Sequence, residues 1–168
     1  MIKMEKVSFS YKSEDKIQVS DLIIEIKAGE FVLLCGKSGC GKTTISKMIN
    51  GLIPHVIDGN YQGKVTIDNK AVREMKIYEI SEQVGSIFQN PKTQFFNLDS
   101  DSELIFGLEN MGVEPRLIKA IVQNTINELA IENLKSRNVF ELSGGEKQIL
   151  AVASVYATNP EIYVFDEP

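Results

Sequence analysis

The chain has 168 residues, 43% of them hydrophobic and 24% charged, which suffices for one globular domain with a real core, so that disorder is not the default. A formal net charge of −5 offers no bulk attraction to nucleic acid or anionic lipid. Two cysteines (Cys35, Cys40) and one histidine (His55) are too few for a structural zinc site, and no apolar run reaches the ~18 residues of a membrane helix. Met1-Ile2-Lys3 leads into a strand-like pattern rather than a secretory signal, so a cytoplasmic chain with reduced, structural cysteines is expected.

Ile2 to Tyr11 and Ile17 to Lys27 alternate apolar and polar residues, as antiparallel strands with one wet face do, and Lys27-Ala28-Gly29-Glu30 reads as a turn. Phe31-Val32-Leu33-Leu34-Cys35 is continuously apolar, the pattern of a strand buried on both faces of a parallel sheet. A helix is expected from Lys42 to Asn50, ending at Gly51, then an exposed connection from Pro54 to Asn60 and a strand from Gly63 to Asp68. A short helix near Ile77 to Glu82 and an apolar strand Val84 to Phe88 follow, broken by Asn90-Pro91. Ser100 to Leu134 reads as helices, with Ile118, Ile121, Val122, Ile126 and Leu129 along one face. A last helix, Gly144 to Tyr156, passes through Asn159-Pro160 into the strand Ile162 to Phe165.

Four of these junctions carry chemistry. Gly36-Lys37-Ser38-Gly39-Cys40-Gly41-Lys42-Thr43 fits G-x-x-x-x-G-K-[ST] between an expected strand and a helix, the context this motif requires. Its glycines let successive N–H groups curl around a β-phosphate, Lys42 reaches the β and γ oxygens, and the Thr43 hydroxyl can ligate Mg²⁺. A glycine turn beside an exposed lysine is the plain alternative. Asp166-Glu167 closes an apolar strand and sets two carboxylates at a sheet edge, one suited to Mg²⁺ and the next to orienting the attacking water. Gln89 ends another apolar strand, from which its amide could reach the same ion or water. Ser143-Gly144-Gly145, opening an apolar helix, points bare N–H groups and the positive end of a helix dipole at an anion. The chain already owns a phosphate loop. This second anion-seeking tip is therefore expected to close over a nucleotide held by another copy or a sister subunit. Tyr11 beyond the first strand could stack on adenine or cover the core. Cys40 and His55 enter no mechanism.

Taken together, Tyr11, GKSGCGKT at 36–43, Gln89, LSGGEKQ at 142–148 and IYVFDE at 162–167 resemble the ATP-binding subunits of ABC transporters over nearly the whole chain. The resemblance implies an α/β fold: a P-loop NTPase core with a mostly parallel sheet, an N-terminal antiparallel β subdomain and an inserted α-helical subdomain. Residues 1–91 and 159–168 would form the ATP-binding core, 92–143 the helical subdomain and 144–158 the signature helix. It further implies that Tyr11, Gly36, Lys37, Ser38, Gly39, Cys40, Gly41, Lys42, Thr43 and Thr44 bind ATP, and that Thr43, Gln89 and Asp166 hold Mg²⁺. Glu167, Lys42 and Gln89 would be catalytic, with Ser143, Gly144, Gly145 and Gln148 contacting the partner's ATP. Asn50-Gly51-Leu52-Ile53-Pro54 and Phe88-Gln89-Asn90-Pro91 with Gln94-Phe95 are similar to energy-coupling-factor ATPases, which drive uptake of vitamins or of cobalt and nickel ions. The implied partners are a second ABC ATPase subunit (a homodimer or paralogue heterodimer), an integral membrane coupling protein and a substrate-binding membrane protein, with no nucleic acid. Such a subunit lies at the inner face of the cell membrane, held there through its protein partner.

The chain departs from the family pattern in two places. Ile149 follows Gln148 where the family usually has arginine, and the sequence ends at Pro168, before the family's D-loop and γ-phosphate-sensing histidine. Residues 1–168 are therefore expected to be a portion of a longer subunit that hydrolyses ATP poorly alone. The competing expectations are a soluble ABC-type ATPase acting on nucleic acid or ribosomes, and a nucleotide-binding fragment without turnover.

Overall fold

The apolar positions of the first strand change parity, Ile2 and Met4 being even and Val7 and Phe9 odd, yet all four are buried. A strand can do this only by inserting a residue. In the computed structural model, which describes residues 1–13 and 16–167, strand β1 (Ile2–Tyr11) does so beside Lys6, whose φ is 49°. Its register shifts between Glu5 and Ser8 against β3 (Gly59–Ile67) and between Met4 and Val7 against β2 (Val19–Ile26). Gly63 answers the bulge from β3, with φ of 85°; a Cβ there would lie 2.3 Å from the Lys6 carbonyl oxygen. β3 therefore begins four residues before the expected Gly63: that glycine marks a close backbone approach inside the strand rather than its start. Gly59 and Asn60 pair with Tyr11 and Ser10 and so leave the exposed connection expected for Pro54 to Asn60. A two-residue strand β4 (Lys70–Ala71) completes the antiparallel order β2-β1-β3-β4.

The chain divides into two units, Met1–Val84 and Gly85–Pro168, and this sheet belongs to the first. Helix α1 (Lys42–Ile49) is entered from Gly41, left-handed at φ 101°, and released at Asn50 into Gly51, left-handed at φ 77°. A single turn, α2 (Leu52–His55), leads towards β3, and α3 (Ile77–Gln83) ends the unit. Ile80 of α3 is fully buried, and a Cβ on Gly51 would strike its Cδ1 at 2.5 Å, so glycine serves both the turn and the packing there. Residues 31–35 differ from expectation. They form no strand, and Phe31 is 92% and Leu33 73% exposed. A strand exists through ladder bonds to a neighbour, and no described residue supplies that ladder to this run. Cys35 and Cys40 are both free and exposed, so neither packs the core.

Strand β5 (Val84–Ile87), which begins on the last residue of the first unit, pairs with β6 (Ile162–Phe165), and Asp166 N–H extends the pairing to the Ile87 carbonyl at 3.0 Å. Three helices, α4 (Ser100–Asn110), α5 (Pro115–Leu129) and α6 (Gly144–Ala157), surround a core of Leu104, Ile126, Leu134, Leu142, Leu150 and Ala153. The apolar stripe of α5 faces inward as its spacing requires: Ile118 and Ile126 are buried, and Ile121, Val122 and Leu129 pack beside them. A Cβ on Gly85 would meet Val155 at 2.4 Å and Pro160 at 2.6 Å, so this strand touches the α6 region closely enough to require glycine. Pro168, the last residue of the expected ATP-binding core, lies outside the described residues.

Candidate functional site

In the first unit the phosphate loop is closed by its own backbone. Cys40 N–H donates to the Lys37 carbonyl at 3.2 Å, and the Lys42 ammonium donates to the carbonyls of Gly36 at 3.1 Å and Lys37 at 3.3 Å. Gly39 (φ 74°) and Gly41 (φ 101°) take the left-handed turns. Gly41 is doubly constrained, because a Cβ on it would lie 2.7 Å from the Gln18 carbonyl oxygen. Gly36, Lys37, Ser38, Gly39 and Cys40 are exposed, whereas Lys42 and Thr43 are half-buried in the first turn of α1. Thr44 is buried, its hydroxyl 3.2 Å from the Tyr11 hydroxyl. Tyr11 is half-buried, edge-on to Phe9 at 4.9 Å, with the Lys47 ammonium 5.9 Å from its ring centroid. The structure thus places Tyr11 beside the helix that follows the phosphate loop. His55 lies at the surface, its Nε2 2.8 Å from the Val72 carbonyl oxygen.

In the second unit the strand ends bring Gln89 and the acidic pair together. The Gln89 amide donates to Glu167 at 2.7 Å; Glu167 is exposed, and Asp166 is buried. Among the described residues no cluster of three or more His, Cys, Asp or Glu side chains gathers. In the second unit Gln89 and Asp166 offer amide and carboxylate oxygens, and in the first Thr43 offers a hydroxyl, all of them hard donors that suit Mg²⁺.

The start of α6 is built around Ser143. Its hydroxyl accepts from Glu146 N–H at 3.3 Å, while the Glu146 carboxylate accepts from Ser143 N–H at 2.7 Å and from Arg137 at 2.8 Å. Hydrogen bonds from the Ser143 backbone and then its side chain, with Arg137 adding, hold the Glu146 carboxyl below its ordinary range. Sequence reasoning passed over this capping box although Ser143-x-x-Glu146 is its signature. Arg137, nine residues upstream of Glu146, had no comparable signal. Gly144, Gly145 and Gln148 are exposed, and a Cβ on either glycine would meet nothing within 4 Å. Ile149, beside Gln148, is also exposed.

Among the described residues no helix is long and apolar enough to cross a membrane. A family model described as ABC transporter matches residues 19–168. Over all 168 residues the chain is 49% identical to an ABC transporter ATP-binding protein of Treponema denticola, covering 34% of that protein. It is 39% identical to another from Pyrococcus abyssi, covering 60% of it. The chain thus spans between 34% and 60% of the length of these two curated relatives. Among solved structures, cbiO1 from Clostridium perfringens, part of the ABC transporter complex cbiONQ, superposes with a TM-score of 0.85 at 28% identity, over 99% of this chain and 65% of that one. The ATP-binding cassette MJ0796, a dimer in a post-hydrolysis state bound to ADP and Pi, superposes with a TM-score of 0.79 at 25% identity, over 98% of this chain and 73% of that one.

Proposed function

Because this chain belongs to the ABC transporter family and has the P-loop fold of its ATPases, we propose that it is part of a subunit that binds and hydrolyses ATP to energise a membrane transporter. The observation that carries this reading is the bare tip of α6. A Cβ on Gly144 or Gly145 would meet nothing within 4 Å among the described residues, and glycine loses more freedom on ordering than alanine does, so packing within these residues gives no reason for them. A terminal phosphate held by a second ATPase subunit, the same chain or a paralogue, supplies one.

In this reading Tyr11 borders the adenine, and residues 36–43 with Thr44 cradle the phosphates. Lys42 exchanges the carbonyls of Gly36 and Lys37 for β and γ oxygens. Thr43, Gln89 and Asp166 would hold Mg²⁺, which when bound neutralises charge developing on the phosphate oxygens. Glu167 takes a proton from the water that attacks the γ-phosphorus, with Gln89 at hydrogen-bond distance orienting the carboxylate. The γ-phosphorus to bridging-oxygen bond breaks, leaving ADP and phosphate. Ser143, Gly144, Gly145 and Gln148 meet the partner's nucleotide and complete the electrostatic stabilisation. Residues 1–91 and 159–168 form the ATP-binding core, 92–143 the helical subdomain and 144–158 the signature helix.

We further propose energy-coupling-factor-type uptake of a vitamin or transition-metal ion, through a membrane coupling protein and a substrate-binding membrane protein, with the ATPase at the inner membrane face. The loops at 50–54 and 88–95 and the likeness to cbiO1 support it. The test uses the complete subunit: Lys42→Ala should abolish triphosphate binding, and Glu167→Gln should keep binding and accumulate an ATP-bound dimer without phosphate release. Undiminished turnover of Glu167→Gln overturns the assignment of the base. ATP binding without turnover in the parent protein favours the nucleotide-binding module instead.

A further inference from the structure

Lys147 stands where a helix should not place it. It is the fourth residue of α6, in the first turn, where the helix dipole disfavours a cation, and it is only 7% exposed. Burying an ammonium is costly unless its protons are bonded. The Nζ reaches back out of the helix to the Leu142 carbonyl at 2.5 Å and the Phe140 carbonyl at 3.1 Å. Those two acceptors belong to the turn that delivers the chain into Ser143.

We infer that Lys147 is a positioning residue for the anion-facing tip, pinning the carbonyls of Phe140 and Leu142 so that Ser143, Gly144 and Gly145 are aimed before any nucleotide arrives. Two sets of bonds then hold the tip. Glu146, anchored by Arg137, fixes the Ser143 N–H, and Lys147 fixes the carbonyl of the residue before it. A lysine whose local position is unfavourable, yet whose bonds all serve the approach to Ser143, fits a device that sets geometry. The inference rests on the reading that this tip meets a partner's phosphate.

The experiment compares Lys147→Met, Lys147→Gln and Lys147→Arg in the complete subunit. Three quantities are read: the affinity of the subunit's own loop for ATP, ATP-driven dimerisation, and kcat per folded subunit. Own-site affinity should stay within about twofold for all three. For Met and Gln, kcat should fall at least about tenfold and dimerisation weaken alongside it, while Arg, which keeps the charge and the donors, should recover most of both. Should the Met variant not fold, Gln carries the same comparison. Parental kcat and dimerisation in a folded Met or Gln variant overturn the inference, as does a loss of own-site affinity equal to the loss of kcat. Ser143→Arg serves as the control: if it leaves dimerisation intact, the reading of the tip has failed, whereas a damaging Ser143→Arg beside a silent Lys147→Gln discards only the role of Lys147.

Discussion

Replacing both Gly144 and Gly145 by alanine should raise the stability of the subunit and lower its activity. Neither added Cβ meets an atom within 4 Å, and neither glycine has a positive φ, so the folded chain has no steric objection. Each Gly→Ala change removes conformational freedom from the unfolded chain and contributes about 0.5–1 kcal/mol in a helix. The pair should therefore add about 1–2 kcal/mol, or a rise in Tm of about 2–8 °C for a chain of this size. The opposite effect would come from the methyl groups, which would stand beside the N–H groups proposed to face a partner's phosphate. A charge-assisted hydrogen bond contributes about 1.5–3 kcal/mol, so losing one good contact should lower phosphate release about 10- to 100-fold. Calorimetry gives the first quantity; sedimentation with ATP and a phosphate-release assay on the complete subunit give the second. Raised Tm with full turnover would mean that the tip faces no anion, and a lowered Tm would mean that the fold itself requires these glycines.

Gly41→Ala and Gly39→Ala form a second contrast. Both residues are left-handed, a strain of about 1–2 kcal/mol for alanine, but only at Gly41 would the new Cβ strike backbone, 2.7 Å from the Gln18 oxygen. Gly41→Ala should lose clearly more stability and ATP affinity than Gly39→Ala in parallel denaturation and titration; equal losses would show that the contact with residue 18 does not shape the loop. For Glu146, whose folded pKa is depressed, the stabilising contribution is fully present above the unfolded value of about 4.3 and is lost as pH falls through the lower folded value. Protection of the Ser143 amide from hydrogen exchange should thus hold from about pH 6 to about pH 5 and fall away below about pH 4, with Glu146→Gln removing the step. A loss of protection already at about pH 6 would contradict it.

Local signals located most of these elements. β1, α6 and β6 lie within a residue of their expected bounds, because an apolar–polar pattern, a hydroxyl-and-glycine helix start and an apolar run preceded by proline mark their ends locally. Two errors have a common origin in partners distant along the chain. Gly63 reads as a strand start until Lys6 is set opposite it, and the parity change between Met4 and Val7 was the available clue. Residues 31–35 carry a buried-strand pattern, but pattern alone does not furnish the ladder. The phosphate loop was legible as a string, since its glycines and lysine act within eight residues. The bond from Gln89 to Glu167, 78 residues apart, was legible only as two separate strand ends.

The Lys42 ammonium resting on the carbonyls of Gly36 and Lys37 has a consequence for the energetics of nucleotide capture. A loop of eight residues left to fluctuate would surrender about 1–2 kcal/mol of backbone entropy per residue on ordering around a ligand. Here the lysine acts as an internal template, so much of that ordering is completed during folding. On the proposed reading, capture is then an exchange of acceptors, carbonyl for phosphate oxygen, in which the difference in charge decides the outcome.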